Sequence, residues 1–202
     1  MDHFLYRNGV LHAEEVPVSD IAATVGTPFY CYSTATMTRH YEVLTESLAG
    51  AGAKVCYAIK ANSNQAVIRT MLELGAGADV ISGGELQRAL AAGATPRDVV
   101  FAGPGKTEAE LVQALKAGIY QFNVESEPEL RLLSAVATEM GKVAPVSIRV
   151  NPDVDAGTHE KITTGRKQNK FGIPIDRAMD VFDLGAKLPG LSMLGVAIHI
   201  GS

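Results

Sequence analysis

One lysine stands where a strand should end, and the chemistry of the chain is most readily approached from it. The run Val55-Cys56-Tyr57-Ala58-Ile59-Lys60-Ala61-Asn62 carries apolar, β-branched and aromatic types up to Lys60 and breaks at Asn62-Ser63-Asn64, the pattern of a core strand in a parallel sheet. An amine held partly out of water at such a point can lose its proton and attack a carbonyl, as Schiff-base lysines do. The plainer alternative is a lysine that snorkels to solvent. Polar residues recur at the ends of the strand-like segments that follow. Asp79 and Ser82 fall at the second, Asn123 and Glu125 at the fourth, Arg149 and Asn151 at the fifth, and His199 and Ser202 at the sixth. Each alone suits a turn or a cap, but their repetition at one end of successive strands is what a shared catalytic mouth requires.

That set has a chemical sense. An amine nucleophile, a flat imidazole, an arginine and small hydroxyls suit an aldehyde cofactor bearing a phosphate, and pyridoxal phosphate is a cofactor of this kind that bonds to lysine and delocalises a carbanion. Gly83-Gly84, ahead of a helix, could offer N–H groups to an anion, although a plain tight turn is the preferred reading. Gly103-Pro104-Gly105-Lys106-Thr107 resembles the end of a nucleotide P-loop. The motif needs a glycine where Val100 stands, and Pro104 removes a cradle N–H, so nucleotide binding is not expected there.

The elements that must position these residues alternate regularly. Strands are expected near 55–59, 78–82, 98–102, 119–124, 145–150 and 193–200, with helices near 64–74, 84–92, 107–117, 127–140 and 174–187. Gly75, Gly93 and Gly118 fall just past helix ends. Ser33 can cap a helix running to about Leu48. Strand starts lie roughly 20 to 26 residues apart until a long fifth loop, the rhythm of βα units and a parallel sheet. An open doubly wound sheet would be complete with six strands. A (β/α)8 barrel needs eight, and the chain reaches Ser202 directly after its sixth strand with no helix to cover it, so the expectation is three quarters of a barrel over 33–202. Residues 1–32 break the rhythm: a hairpin around Arg7-Asn8, a short helix at Val18–Ala23 and a strand at Pro28–Tyr32 suggest strands of a separate β layer.

Composition narrows the function class. The 202 residues are 47% hydrophobic and 20% charged, enough for one sizeable core. A net charge of −4 offers no basic field for nucleic acid. The start lacks a signal-peptide stretch, and no apolar run approaches the roughly 18 residues of a membrane span. Cys31 and Cys56 lie in apolar segments without metal-ligand spacing and read as reduced core thiols of a cytoplasmic protein, so no metal is expected.

Several motifs together resemble a known family. Tyr57–Asn62 is similar to the cofactor-lysine motif of the alanine-racemase-like barrel decarboxylases that use pyridoxal phosphate (fold type III), His199-Ile200-Gly201-Ser202 to their histidine motif, and Gly77–Leu86 to their second-strand segment. Within that family, Arg149–His159, Lys161–Gly165, Asn169–Ile173, Phe122–Ser126 and Phe101–Lys106 resemble the diaminopimelate branch, so that the likeness runs from about Phe4 to Ser202. The resemblance implies removal of CO2 from the D-configured centre of meso-2,6-diaminopimelate to give L-lysine, the last step of lysine biosynthesis. Lys60 would hold the cofactor, His199 would stack on its ring, Ser202 would contact its phosphate, and Asp79 and Arg149 would lie near it. Relatives are homodimers that continue well beyond this length, into a phosphate loop, substrate-contacting residues and most of a C-terminal β domain. The chain by itself is therefore expected to bind cofactor poorly, not to turn over, and to self-associate through the edge of its sixth strand. Three rivals stay open: a decarboxylase of arginine, ornithine or carboxynorspermidine on the same fold, a non-catalytic cofactor carrier, and an open-sheet binding module. The hairpin at Phe4–Leu11 speaks against the carrier.

Overall fold

The computed structural model describes residues 3–154 and 171–199. A small antiparallel sheet opens the chain, with β1 (Phe4–Arg7), β2 (Val10–Ala13) and β3 (Val16–Pro17) in that order. The β1–β2 turn is Asn8-Gly9, both with positive φ, as a two-residue hairpin needs, and it sets Arg7 opposite Val10. Helix α1 (Val18–Val25) follows. The strand expected at Pro28–Tyr32 is absent: no strand among the described residues pairs with it, and Tyr30 is 90% exposed, so aromatic β-propensity has nothing to act through. Helix α2 (Thr34–Ser47) begins where Ser33 caps the Thr36 N–H.

The main sheet is built from β4 (Cys56–Ala58), α3 (Gln65–Glu73), β5 (Gly77–Val80), α4 (Gly83–Ala91), β6 (Val99–Phe101), α5 (Glu108–Ala117), β7 (Gln121–Val124), α6 (Glu127–Glu139), β8 (Ala144–Asn151), β9 (Ile173–Pro174), α7 (Ala178–Lys187) and β10 (Leu191–Ile198). Its order is β10-β8-β7-β6-β5-β4, all parallel, with the two-residue β9 added to β8. Every main crossover advances the sheet in one direction. A doubly wound sheet reverses at a switch point, and none occurs here, so the topology is that of six of the eight units of a (β/α)8 barrel.

Several boundaries differ from expectation. The first strand ends at Ala58, and Lys60 sits instead on a single turn of 3-10 helix, Ile59–Ala61. The second strand stops at Val80, which leaves Ser82 as the cap of α4, accepting from the Glu85 N–H. The helix expected from residue 174 begins with a 3-10 turn at Ile175–Arg177. Strands β3 and β9 were not anticipated, because two residues carry no readable period.

The core lies between the sheet and its helices. Val80, Phe101, Phe122, Val124 and Ile148 from the strands meet Leu86, Leu111, Leu130 and Leu133 from the helices, all below 2% exposure. Phe101 and Phe122 stack with ring centroids 6.4 Å apart. Gly185 lets α7 lie close on β10, since a Cβ there would come within 2.6 Å of the Met193 sulfur. Beyond α7, Val196 and Ile198 remain 61% and 60% exposed on the sheet's outer face. Among the described residues no helix is long and apolar enough to cross a membrane.

One carboxylate joins the small sheet to α2. Glu14 Oε1 accepts from the Ser33 hydroxyl at 2.7 Å and from the Ala35 N–H at 2.9 Å, at the positive end of the helix. These bonds, first that from Ala35 and then that from Ser33, hold the Glu14 carboxyl below its ordinary pKa. A depressed carboxylate contributes stability that is present above the unfolded pKa and lost as pH falls through the folded one. Melting followed by circular dichroism from neutral to acid pH is therefore expected to show a shallower acid decline in Glu14→Gln than in the unmodified chain. An unchanged acid limb would remove Glu14 as the joint.

Candidate active site

Parallel register decides which side chains share a face. Ala58 lies beside Asp79 and Asp79 beside Val100, while Asn123 lies beside Ser147 and Arg149 beside Ala197. Their neighbours along each strand, such as Ala78, Val80, Phe122 and Ile148, are fully buried under the helices, so this set faces inward. Together with Lys60 and His199, all of its members but Ser147 line a cavity of about 650 Å³ at the C-terminal ends of the strands. Lys60, Asp79, Arg149 and His199 thus share one cavity. Ser202 lies outside the described residues, as does the loop motif from Asp155 to Lys170.

Each member has a local reason for its place. The 3-10 turn carrying Lys60 is closed by the Tyr57 hydroxyl, which donates to the Asn62 carbonyl at 3.1 Å, while Asn64 caps α3. Lys60 is exposed rather than sheltered as expected, because it rides the turn above the strand and not the strand itself. Asp79 is half-buried, and burial raises its pKa. The charges of Lys60 and Arg149 work against that rise, and Glu85 adds to it. For His199, burial lowers the pKa, the Arg149 and Lys60 charges lower it further, and Glu125 opposes them. The result favours a neutral, flat ring at neutral pH.

Arg149 is held from two sides. Its Nη1 donates to Glu125 Oε1 at 2.8 Å, and its guanidinium lies 5.7 Å from the centroid of the Phe171 ring. The Arg149 and Glu125 side chains are only 14% and 3% exposed.

Lys106 is the residue whose importance the sequence hid. Its ammonium, 1% exposed, donates at 2.7 Å to each of three acceptors: the Gly103 carbonyl, the Asn123 carbonyl and Glu129 Oε1. It also sits 5.5 Å from the Phe101 ring centroid. It fastens the Gly103-Pro104 loop, part of the cavity wall, to the end of β7 and to α6. No local signal could have shown this, since Glu129 lies 23 residues further along the chain. The amine is consumed inward and α5 is closed by a Thr107–Glu110 capping box, which agrees with rejecting a nucleotide loop. At the Gly83-Gly84 turn the Gly83 N–H donates to Glu110 Oε1 at 2.8 Å, and a Cβ on Gly83 would meet Gln113 Oε1 at 2.7 Å. That glycine serves close packing and is no anion cradle.

Cys31 and Cys56 are free thiols but half-buried, not core, and Cys56 faces the cavity. Among the described residues no His, Cys, Asp or Glu group could hold a metal ion. A primary amine, a neutral imidazole and a fixed guanidinium around a cavity of this size do fit an aromatic aldehyde cofactor.

The class this describes is a (β/α)8-barrel array with a lysine just past the end of its first strand, at the edge of a cavity. Comparison with known proteins makes it specific. The family model described as pyridoxal-dependent decarboxylase, pyridoxal binding domain, matches residues 34–202, and the chain belongs to that family. It is 53% identical over its whole length to a diaminopimelate decarboxylase of Vibrio cholerae, and 52% identical to one of Pseudomonas aeruginosa, covering 49% of each relative. The crystal structure of diaminopimelate decarboxylase (I148L mutant) from Helicobacter pylori complexed with L-lysine superposes with a TM-score of 0.89 at 40% identity, over 92% of this chain and 47% of that one. The chain spans about half the length of the relatives it matches.

The two kinds of ion pair should respond differently to substitution. Lys106→Met leaves Glu129 and two carbonyls buried without their partner and is expected to cost about 3 to 5 kcal/mol. Arg131→Ala, which breaks the exposed pair with Glu127, is expected to cost about 0.5 kcal/mol. Urea unfolding of both variants measures the contrast, and equal losses would refute the bracing role.

Proposed function

We propose that the chain is the barrel part of a diaminopimelate decarboxylase, which converts meso-2,6-diaminopimelate to L-lysine and CO2 in a protein that extends to the length of its relatives. The observation that carries this is the convergence of Lys60, Asp79, Arg149 and His199 on one cavity at the strand ends. The shared name of relatives at 45% to 53% identity over the whole chain supports the substrate, as does the L-lysine complex of the Helicobacter pylori enzyme. Arginine, ornithine and carboxynorspermidine are weaker alternatives; the arginine decarboxylase of a Chlorella virus, 20% identical, speaks for the fold alone.

When bound, pyridoxal phosphate supplies a protonated pyridine ring that takes up the electron pair left by departing CO2. Lys60 would be the residue that holds the cofactor, through its side-chain amine. His199, kept neutral by burial and two neighbouring cations, would lie flat against the ring and orient it. Ser202 would contact the phosphate. Asp79 and Arg149 would set the charge beside the ring, one half-buried anion against one paired cation.

Residues 33–202 form the cofactor-binding barrel in this reading, and residues 1–32 contribute strands to a β domain completed elsewhere in the protein. The working form is a cytoplasmic homodimer. The deciding test is a visible spectrum of the full-length protein with added pyridoxal phosphate. A band from the lysine-bound cofactor is expected, and Lys60→Ala is expected to abolish both that band and decarboxylation. A band that survives the substitution would move the cofactor to another lysine.

A further inference from the structure

We infer that Glu125 is a positioning residue of the cavity: its buried carboxylate holds the Arg149 guanidinium in place and offsets its charge beside His199. The inference rests on the reading of Arg149 and His199 as cofactor-facing residues, and it is carried by the geometry around Glu125.

The backbone that presents Glu125 is clamped. Its N–H donates to Glu129 Oε2 at 3.1 Å, and the other oxygen of Glu129 accepts from Lys106. From that anchor, one carboxylate oxygen reaches Arg149 across the gap from β7 to β8 at 2.8 Å. The second oxygen, Oε2, is buried without a hydrogen-bond partner among the described residues. Native structures leave few such atoms unsatisfied, and a buried ion pair is seldom a gain over apolar residues of the same size. A carboxylate 3% exposed that, among the described residues, is bonded through one oxygen alone is therefore poorly explained as a stabilising element. It is well explained as a fixed negative charge.

That charge has a use. Glu125 engages one nitrogen of the guanidinium, and Arg149 also lines the cavity. Among the described residues, charged groups act on the His199 imidazole from three elements: Lys60 from the turn after β4, Arg149 from β8, and Glu125 from the end of β7. Asp79, on β5, faces Lys60 and Arg149. Without Glu125 the opposition it offers to both cations at His199 would be lost, and the guanidinium would lose the bond from its Nη1.

The test follows the His199 ring by NMR against pH in the full-length protein freed of cofactor, with melting recorded alongside. Glu125→Gln, which keeps size and an acceptor but removes the charge, is expected to lower the His199 midpoint by about half a pH unit. Arg149→Gln is expected to raise it, and the double variant to fall between. A Glu125→Gln protein that melts earlier yet titrates His199 like the unmodified protein would reduce Glu125 to a structural part and overturn the inference. Should Glu125→Gln fail to fold, Arg149→Gln decides alone, because an unshifted midpoint there would show that the ion pair does not act on His199. None of these midpoints depends on which lysine carries the cofactor, so failure of this inference and failure of the Lys60 assignment are separable.

Discussion

A parallel strand followed by its own helix can bury only one of its faces beneath that helix. In this chain, Val80, Phe101, Phe122, Val124 and Ile148 fill that space completely, and the alternate residues Asp79, Val100, Asn123 and Arg149 are thereby turned the other way. The period of two along a strand makes the two assignments inseparable. Everything proposed about the site depends on this outward packing. A slip of one residue would place Asp79 of β5 or Arg149 of β8 under a helix, and in β6 or β7 it would turn Phe101 or Phe122 into the cavity.

The charges that do enter the interior are handled in pairs. Lys106 and Glu129 meet beneath the loop wall, with two backbone carbonyls completing the ammonium's coordination. Arg149 and Glu125 meet beside the cavity. Because Glu129 accepts from Lys106 with one oxygen and from the Glu125 N–H with the other, the two pairs form one connected network across the ends of β6, β7 and β8. Such a network is a costly way to gain stability and an effective way to hold a direction, since a desolvated charge has few alternative partners. The exposed pairs on the helices carry no comparable constraint.

Beside that rigid wall, Lys60 is lightly held. It lies on one turn of 3-10 helix closed by a single tyrosine hydroxyl, exposed, at the first strand of the sheet. In the function proposed for it, such an amine would benefit from reach, whereas the charged groups around it would benefit from fixity. The contrast between Lys60 and the Arg149–Glu125 pair follows that division of labour.

Much was legible from local pattern. Ser33, Asn64, Ser82, Thr107 and Ser126 each cap the helix that follows, and Gly75, Gly93 and Gly118 take the positive φ that ends one, because these are interactions within a few residues of chain. The alternation of strand and helix was likewise written in hydrophobic period, and the motifs around Lys60 and His199 marked the family. Tertiary structure alone decided the rest. Strand order separated a barrel array from an open sheet, since both read identically as βα repeats. The missing strand at Pro28–Tyr32 reflects a pairing partner that propensity cannot supply. Glu125 and Lys106 acquired their roles from partners 24 and 23 residues away, brought within hydrogen-bond distance by parallel crossovers. Local sequence determines what a segment can form, but which charges meet in the interior is set by how the segments are stacked.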